Sequence, residues 1–169
     1  MQRAAALVLC WALLLGAAAA SDTQQRMRAA GHPATTTDEL ARLAGDADWR
    51  VRKAVASNRK TTPDLLFALA GDSNREVRIA VATNLATDER TFLKLAEDPQ
   101  VAVRSVVSRF EYVPASALRR LAEDEVPAIR LEVARNWNTD IETLTLLMRD
   151  SDEQIAAIAA HTLEERRAQ

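Results

Sequence analysis

An aspartate recurs every 26 residues along most of this chain, at Asp46, Asp72, Asp98, Asp124 and Asp150. Six residues after the first four of these stands an arginine, at Arg52, Arg78, Arg104 and Arg130, and the fifth copy has Ala156 in that place. Columns of leucine and of valine or isoleucine keep the same interval without an insertion. Such a fixed interval is the signature of a repeat architecture. The chain is therefore expected to fold as a stack of five similar units.

Each copy contains two apolar stripes with helical spacing. In the first copy they are Leu40, Leu43 and Ala44, then Val51, Ala54 and Val55. Residues spaced i, i+3 and i+4 share one face of a helix, so the pattern predicts two short helices per copy. Asn58, Asn84 and Asn136 follow the second helix, and we expect them to end it as left-handed C-cap residues.

A pair of short helices cannot bury its apolar face alone, so neighbouring copies must stack into one continuous core. The five copies span residues 36–162, more than the roughly three repeats that stability requires. We expect residues 21–35 to form an N-terminal cap and residues 163–169 a C-terminal cap. The predicted fold is an all-α solenoid of five two-helix repeats.

Residues 1–20 have the pattern of a secretory signal peptide. Arg3 precedes seventeen uncharged residues, and these end in a run of alanines that offers an A-x-A cleavage site before Ser21. The uncharged run is shorter than the ~20 residues of a spanning helix, although an uncleaved anchor remains the alternative. We expect a cleaved, periplasmic or secreted monomer without a membrane span.

Composition argues against several classes of function. Cys10 is the only cysteine and lies in the signal segment, so the exported chain has neither a disulfide nor a cysteine-bound metal. The net charge of -2 argues against a nucleic-acid binder. His32 and His161 are about five repeats apart, on the order of 40–50 Å, too far to share a site. Carboxylate pairs such as Asp46 and Asp48 are typical of helix N-termini. We predict no enzyme, no metal and no cofactor.

The segment Val51–Asn58 (VRKAVASN), with TPDLL at 62–66 and LAGD at 69–72, resembles the motif of the leucine-rich repeat variant family. This family is a relative of HEAT and armadillo repeats, and the resemblance extends over about residues 36–162. It implies a right-handed superhelix of paired helices, one of which can be of 3-10 type. Some members carry an N-terminal iron–sulfur cluster on cysteines, but this chain has no cysteine there, so that cofactor is not expected.

The arginine column has two interpretations. Four guanidiniums one repeat apart could line a groove and bind phosphates or a carboxylate-rich chain. In the HEAT-like families that the motif resembles, an Asp in the turn and an Arg six residues later tie adjacent repeats together. We favour this structural ladder, because the aspartate occurs in all five copies and can accept backbone N–H bonds at the helix start.

Columns that vary between copies are candidates for a binding face. Two of them lie on the second helix beside the apolar stripe, and second helices line the concave face in HEAT-like stacks. Aromatic residues in or after the turns lie next to the basic members of these columns. The predicted partner-binding residues are Lys53, Arg109, Phe110, Tyr112, Arg135 and Trp137. The alternative is that the aromatics only cover the ends of short helices.

Two further residues have no single interpretation. Trp49 opens the second helix of the first copy and is either a binding anchor or, as we favour, a cap that packs against the first repeat. Glu132 occupies an otherwise apolar column, so either the fourth copy is distorted or the carboxylate contacts Arg104 or Arg135.

The sequence thus predicts a module that binds a protein or an extended peptide through its concave face. Binding of an anionic polymer such as nucleic acid is one alternative, and a structural envelope protein without a discrete site is another. The 22 basic residues comprise 19 arginines and 3 lysines, which suggests a GC-rich bacterial genome.

Overall fold

The computed structural model describes residues 21–168, which form eleven α-helices and contain neither a strand nor a 3-10 helix. Residues 21–31 form α1. The others are α2 (Thr37–Leu43), α3 (Trp49–Ser57), α4 (Pro63–Leu69), α5 (Arg75–Ala82), α6 (Glu89–Ala96), α7 (Val101–Arg109), α8 (Ala115–Leu121), α9 (Pro127–Arg135), α10 (Ile141–Leu147) and α11 (Glu153–Arg167). The predicted signal peptide lies outside the described residues.

Each 26-residue copy contributes one even-numbered helix, the first, and one odd-numbered helix, the second. Four of the five first helices begin at a side-chain cap, from Thr36, Thr62, Asp88 or Asp140, and the fifth begins after Pro114. Such caps satisfy backbone N–H groups that helix geometry leaves without a partner. The prediction of an all-α solenoid is confirmed.

The apolar columns form one continuous core. The first helices contribute Leu40, Leu66, Phe92, Leu118 and Leu144, and the second helices contribute Val51, Val77, Val103, Ile129 and Ile155, all of them buried. Because each helix buries only one stripe, the core depends on contact between neighbouring copies.

The second helices form the more closely packed of the two layers. Each of them from α3 to α9 packs on the second helix of the next copy, whereas among the first helices only α6 and α8 pack as closely. The inner layer of a curved stack has the shorter spacing between helices. The closer packing of the second helices favours them as the concave side of the solenoid.

The two ends differ in construction. Helix α1 is in register with the second helices and contributes Ala30 to the core, so it acts as half of a preceding repeat. Residues 163–167, in the predicted C-terminal cap, form the charged last turn of α11. None of the helices within residues 21–168 is long and apolar enough to cross a membrane.

Candidate functional site: a basic and aromatic groove on a hydrogen-bonded solenoid

The arginine and aspartate columns form a ladder between copies. The guanidinium of Arg78 donates from Nε to Oδ2 of Asp98 at 2.6 Å and from a terminal nitrogen to Oδ1 at 2.9 Å. The same guanidinium donates to the carbonyl of Asp72 in its own turn at 2.8 Å. Each arginine therefore binds two consecutive turns and holds them at a fixed distance.

The other copies repeat this arrangement. Arg52 pairs with Asp72, Arg104 with Asp124, and Arg130 with Asp150, at 2.6 or 2.7 Å from Nε to Oδ2. Arg26 on α1 also pairs with Asp46, at 2.7 Å from Nε to Oδ2, but its terminal nitrogens contact Thr23 and Asp22 on its own helix. Arg26 was missing from the predicted ladder, although it stands 26 residues before Arg52 and could have been found by extending the column by one copy.

Each ladder aspartate also shapes its own turn. Asp98 Oδ1 accepts the backbone N–H of Gln100 at 2.8 Å, and the other four aspartates bind the residue two positions later in the same way. The aspartate therefore has a role in its own turn in all five copies, in addition to its pairing with an arginine. The ladder guanidiniums have acceptors within the protein and are not free for a partner.

Hydrogen bonding lowers the pKa of three ladder carboxyls, those of Asp72, Asp124 and Asp150. At Asp72 and Asp124 burial raises the pKa, but bonds from the arginine of the preceding copy and from a backbone amide outweigh it, so the pKa of each carboxyl lies below its usual value. At Asp150 the bond from Arg130 is the largest cause and lowers the pKa. These carboxylates are therefore charged at neutral pH, as the arginine pairing requires.

Asparagines form a second ladder at the opposite ends of the second helices. Asn84 donates from Nδ2 to the carbonyls of Ala56 and Asn58 in the preceding copy, at 2.6 and 3.0 Å, and accepts from the N–H of Ala86 at 2.9 Å. Asn58 and Asn136 make equivalent bonds.

The predicted left-handed cap is wrong. Asn58 and Asn136 are extended, with φ of -76° and -71°, and no residue within residues 21–168, glycines included, has a positive φ. These positions hold asparagine because its side-chain amide donates hydrogen bonds to backbone carbonyls of the preceding copy.

The third copy breaks the asparagine column. Phe110 takes that place and stacks on Phe92 with ring centroids 6.0 Å apart. Tyr112 packs edge-on against Phe110 at 5.7 Å. Apolar contact thus replaces the amide bonds at this junction, and it places an exposed tyrosine at the end of the third repeat.

A groove lies between the loops that follow α7 and α9, at the edge of the concave layer. Its volume is about 470 Å³, and its lining is Arg109, Glu111, Tyr112, Arg135, Asn136, Trp137 and Asn138. Four of the six predicted partner-binding residues, Arg109, Tyr112, Arg135 and Trp137, therefore line one site. Tyr112 and Trp137 are 61% and 57% exposed, so both rings are open to contact with a partner.

The structure places the other two predicted binding residues elsewhere. Phe110 is half-buried beneath Tyr112 and supports the groove from behind. Lys53 lies on α3, two copies before α7, and its ammonium is 3.5 Å from the carboxylate of Glu76. Lys53 is therefore not part of the groove. Asn136, Asn138 and Glu111 are lining residues that the sequence interpretation missed.

Trp49 and Glu132 also lie outside the groove. Trp49 begins α3 and is 36% exposed. Helix α9 is continuous through Glu132, so the fourth copy is not distorted there. Its half-buried carboxylate has no cation within 4.0 Å among residues 21–168, and Arg104 is occupied by Asp124. Both alternatives considered for Glu132 are therefore wrong.

The acidic pairs of the turns have structural partners. Asp46 binds Arg26, and Asp48 caps α3 by accepting the N–H of Arg50 at 2.9 Å. Hydrogen bonding from Arg50 lowers the pKa of Asp48 to about 2. Within residues 21–168 no group of three or more histidine, cysteine or acidic residues could hold a metal ion.

Comparison with known proteins agrees with the repeat architecture. A family model described as the Leucine Rich Repeat Variant domain matches residues 24–85. A solved structure, described as a leucine-rich repeat variant with a novel repetitive protein structural motif, is similar to this chain with a TM-score of 0.61 and 25% sequence identity. The similarity covers 78% of this chain but only 52% of that protein, so the chain spans about half its length. No curated protein sequence matches the chain.

Proposed function

We propose that this chain, which is similar to leucine-rich repeat variant proteins, is an exported module that binds a protein or extended peptide at the concave side of its solenoid. The observation that carries the proposal is the contrast between two sets of arginines. The ladder arginines are buried or half-buried and bonded to aspartates. Arg109 and Arg135 are exposed and have no acidic partner within 4.0 Å among residues 21–168, yet they line one groove together.

Two exposed aromatic residues that line the same groove, Tyr112 and Trp137, support a protein partner. Tryptophan, tyrosine and arginine are the residues that most often dominate the energy of protein interfaces. A solenoid also offers an extended concave surface, which suits a long partner better than a small molecule. The export component rests on the signal-like pattern of residues 1–20.

A crosslinking experiment tests whether the groove captures a partner. The protein is used as bait for chemical crosslinking in an envelope extract of the source organism, beside the double variant Arg109→Glu, Arg135→Glu. We expect the parent to capture a discrete protein and the double variant to lose it, because reversed charge removes the only unpaired cations of the groove.

The matched control is Arg28→Glu, Arg59→Glu, which makes the same change in net charge at two exposed arginines outside the groove. We expect this variant to capture as the parent does. If the groove variant captured the partner as well as the parent protein does, the groove would not be the binding site. A polyanion bound with steep salt dependence would instead indicate a nucleic-acid function, and capture of nothing would favour a structural role.

A further inference from the structure

The floor of the groove is fixed before any ligand arrives. Asn136 donates to the carbonyls of Ser108 and Phe110 at 2.9 and 3.2 Å. Asn138 donates to the carbonyl of Glu111 at 2.5 Å and to that of Val113 at 3.2 Å. Four hydrogen bonds thus hold the two loops together. A floor that is already ordered lowers the entropic cost of binding.

The walls of the groove carry donors without acceptors. Arg109 donates from Nε to the carbonyl of Ser105 at 3.1 Å, which orients its guanidinium but leaves the terminal nitrogens without a hydrogen-bond partner among residues 21–168. Arg135 makes no side-chain hydrogen bond to any residue in that range. A guanidinium has five N–H donors and no acceptor. A ligand that contacts these arginines therefore has to accept hydrogen bonds from them.

Charge limits which acceptor fits. Glu111 lines the groove with the two arginines, and its carboxylate, as an acceptor for the hydroxyl of Tyr112, raises the pKa of that tyrosine. Two guanidiniums and one carboxylate give a single net positive charge. A carboxylate, which carries one negative charge, neutralises this net charge, whereas a phosphate of nearly two charges would leave the occupied groove with an excess of negative charge beside Glu111.

The aromatic side chains provide an apolar contact next to the arginines. The guanidinium of Arg166 lies 5.3 Å from the ring centroid of Trp137, within cation–π distance. The ring of Phe110 packs against that of Tyr112. Rigid aromatic anchors lose little side-chain entropy when a partner packs on them.

We propose that the groove binds an acidic side chain of an extended peptide, with Arg109 and Arg135 on the carboxylate and a neighbouring apolar residue of the peptide against Tyr112 and Trp137. This inference rests on the proposed function and names the chemistry of the partner. A bidentate guanidinium contact has the planar geometry of a carboxylate. The fixed floor then sets the distance between the acidic and the apolar contact.

Arrays of blocked octapeptides test this inference. All peptides are acetylated and amidated, and each has a central Glu or, in its partner peptide, a central Gln, with aromatic, aliphatic or Ser residues at the adjacent positions. Affinities of the selected pairs for the intact protein follow from fluorescence anisotropy of labelled peptides. We expect the Glu peptide to bind about tenfold more tightly than its Gln partner, because bonds to a charged group are the stronger ones, and we expect aromatic or aliphatic neighbours to bind better than Ser.

The double variant Arg109→Gln, Arg135→Gln should lose the preference for Glu, and the control Arg28→Gln, Arg59→Gln should keep it. Equal binding of Glu and Gln peptides that both require the two groove arginines would overturn the carboxylate inference but leave the proposed function intact. Inorganic phosphate that competes better than the Glu peptide would also overturn it. Binding of no octapeptide would overturn the inference, while the capture experiment would still decide whether the groove holds a protein.

Discussion

Replacement of Arg78 by alanine is expected to lower the free energy of unfolding by about 3–5 kcal/mol, because it leaves the carboxylate of Asp98 buried without its cation. Arg78 and Asp98 form the most buried pair of the ladder, with side chains 10% and 3% exposed. The arginine also binds the carbonyl of Asp72, so its loss separates two turns. Urea unfolding followed by circular dichroism measures the change.

The control for this prediction is Arg75→Ala on the same helix. Arg75 pairs with Glu76, and the two side chains are 59% and 36% exposed. Surface ion pairs of this kind contribute about 0–1 kcal/mol. If Arg78→Ala were no more destabilising than Arg75→Ala, the ladder would not hold the repeats together.

Replacement of Asn84 by alanine is expected to cost about 2–4 kcal/mol of unfolding free energy. The side chain is buried and makes three hydrogen bonds, two of them to carbonyls of the preceding copy. Each bond contributes about 1 kcal/mol, and a buried carbonyl left without a partner costs more. Thermal and urea unfolding of the variant report the loss.

Thr83→Ala serves as the comparison, since Thr83 is exposed and bonds only within its own helix. We expect it to change stability by less than about 0.5 kcal/mol. An Asn84→Ala protein as stable as the Thr83→Ala protein would show that the asparagine ladder contributes nothing to the stack.

The repeat columns made much of the fold predictable. A residue type that returns at every copy has the same neighbours in every copy, so Leu40 and Val51 indicated the core of all five units. The asparagines were misinterpreted because capping rules describe bonds within one turn. The amide of Asn84 instead bonds to residues 26 and 28 positions earlier, and such a contact exists only once the copies are stacked.

The groove was predictable only in part. Arg109 and Arg135 were found because they stand in one variable column, and the adjacent aromatics drew attention to the same loops. Lys53 shares the face but not the site, because one copy advances the chain along the solenoid and two copies separate α3 from α7. No sequence pattern pointed to Glu111 and Asn138 as lining residues. They reach the groove only because the fold brings two loops together.

Photo-crosslinking in the source organism tests most directly the claim that the groove is the partner site. The photoreactive amino acid benzoylphenylalanine replaces Tyr112 in one protein and Leu146, an exposed residue of the first-helix layer, in the other. The account predicts a discrete adduct with another protein from position 112 and none from position 146. An adduct from position 146 with none from position 112 would contradict it and assign the interaction to the convex side.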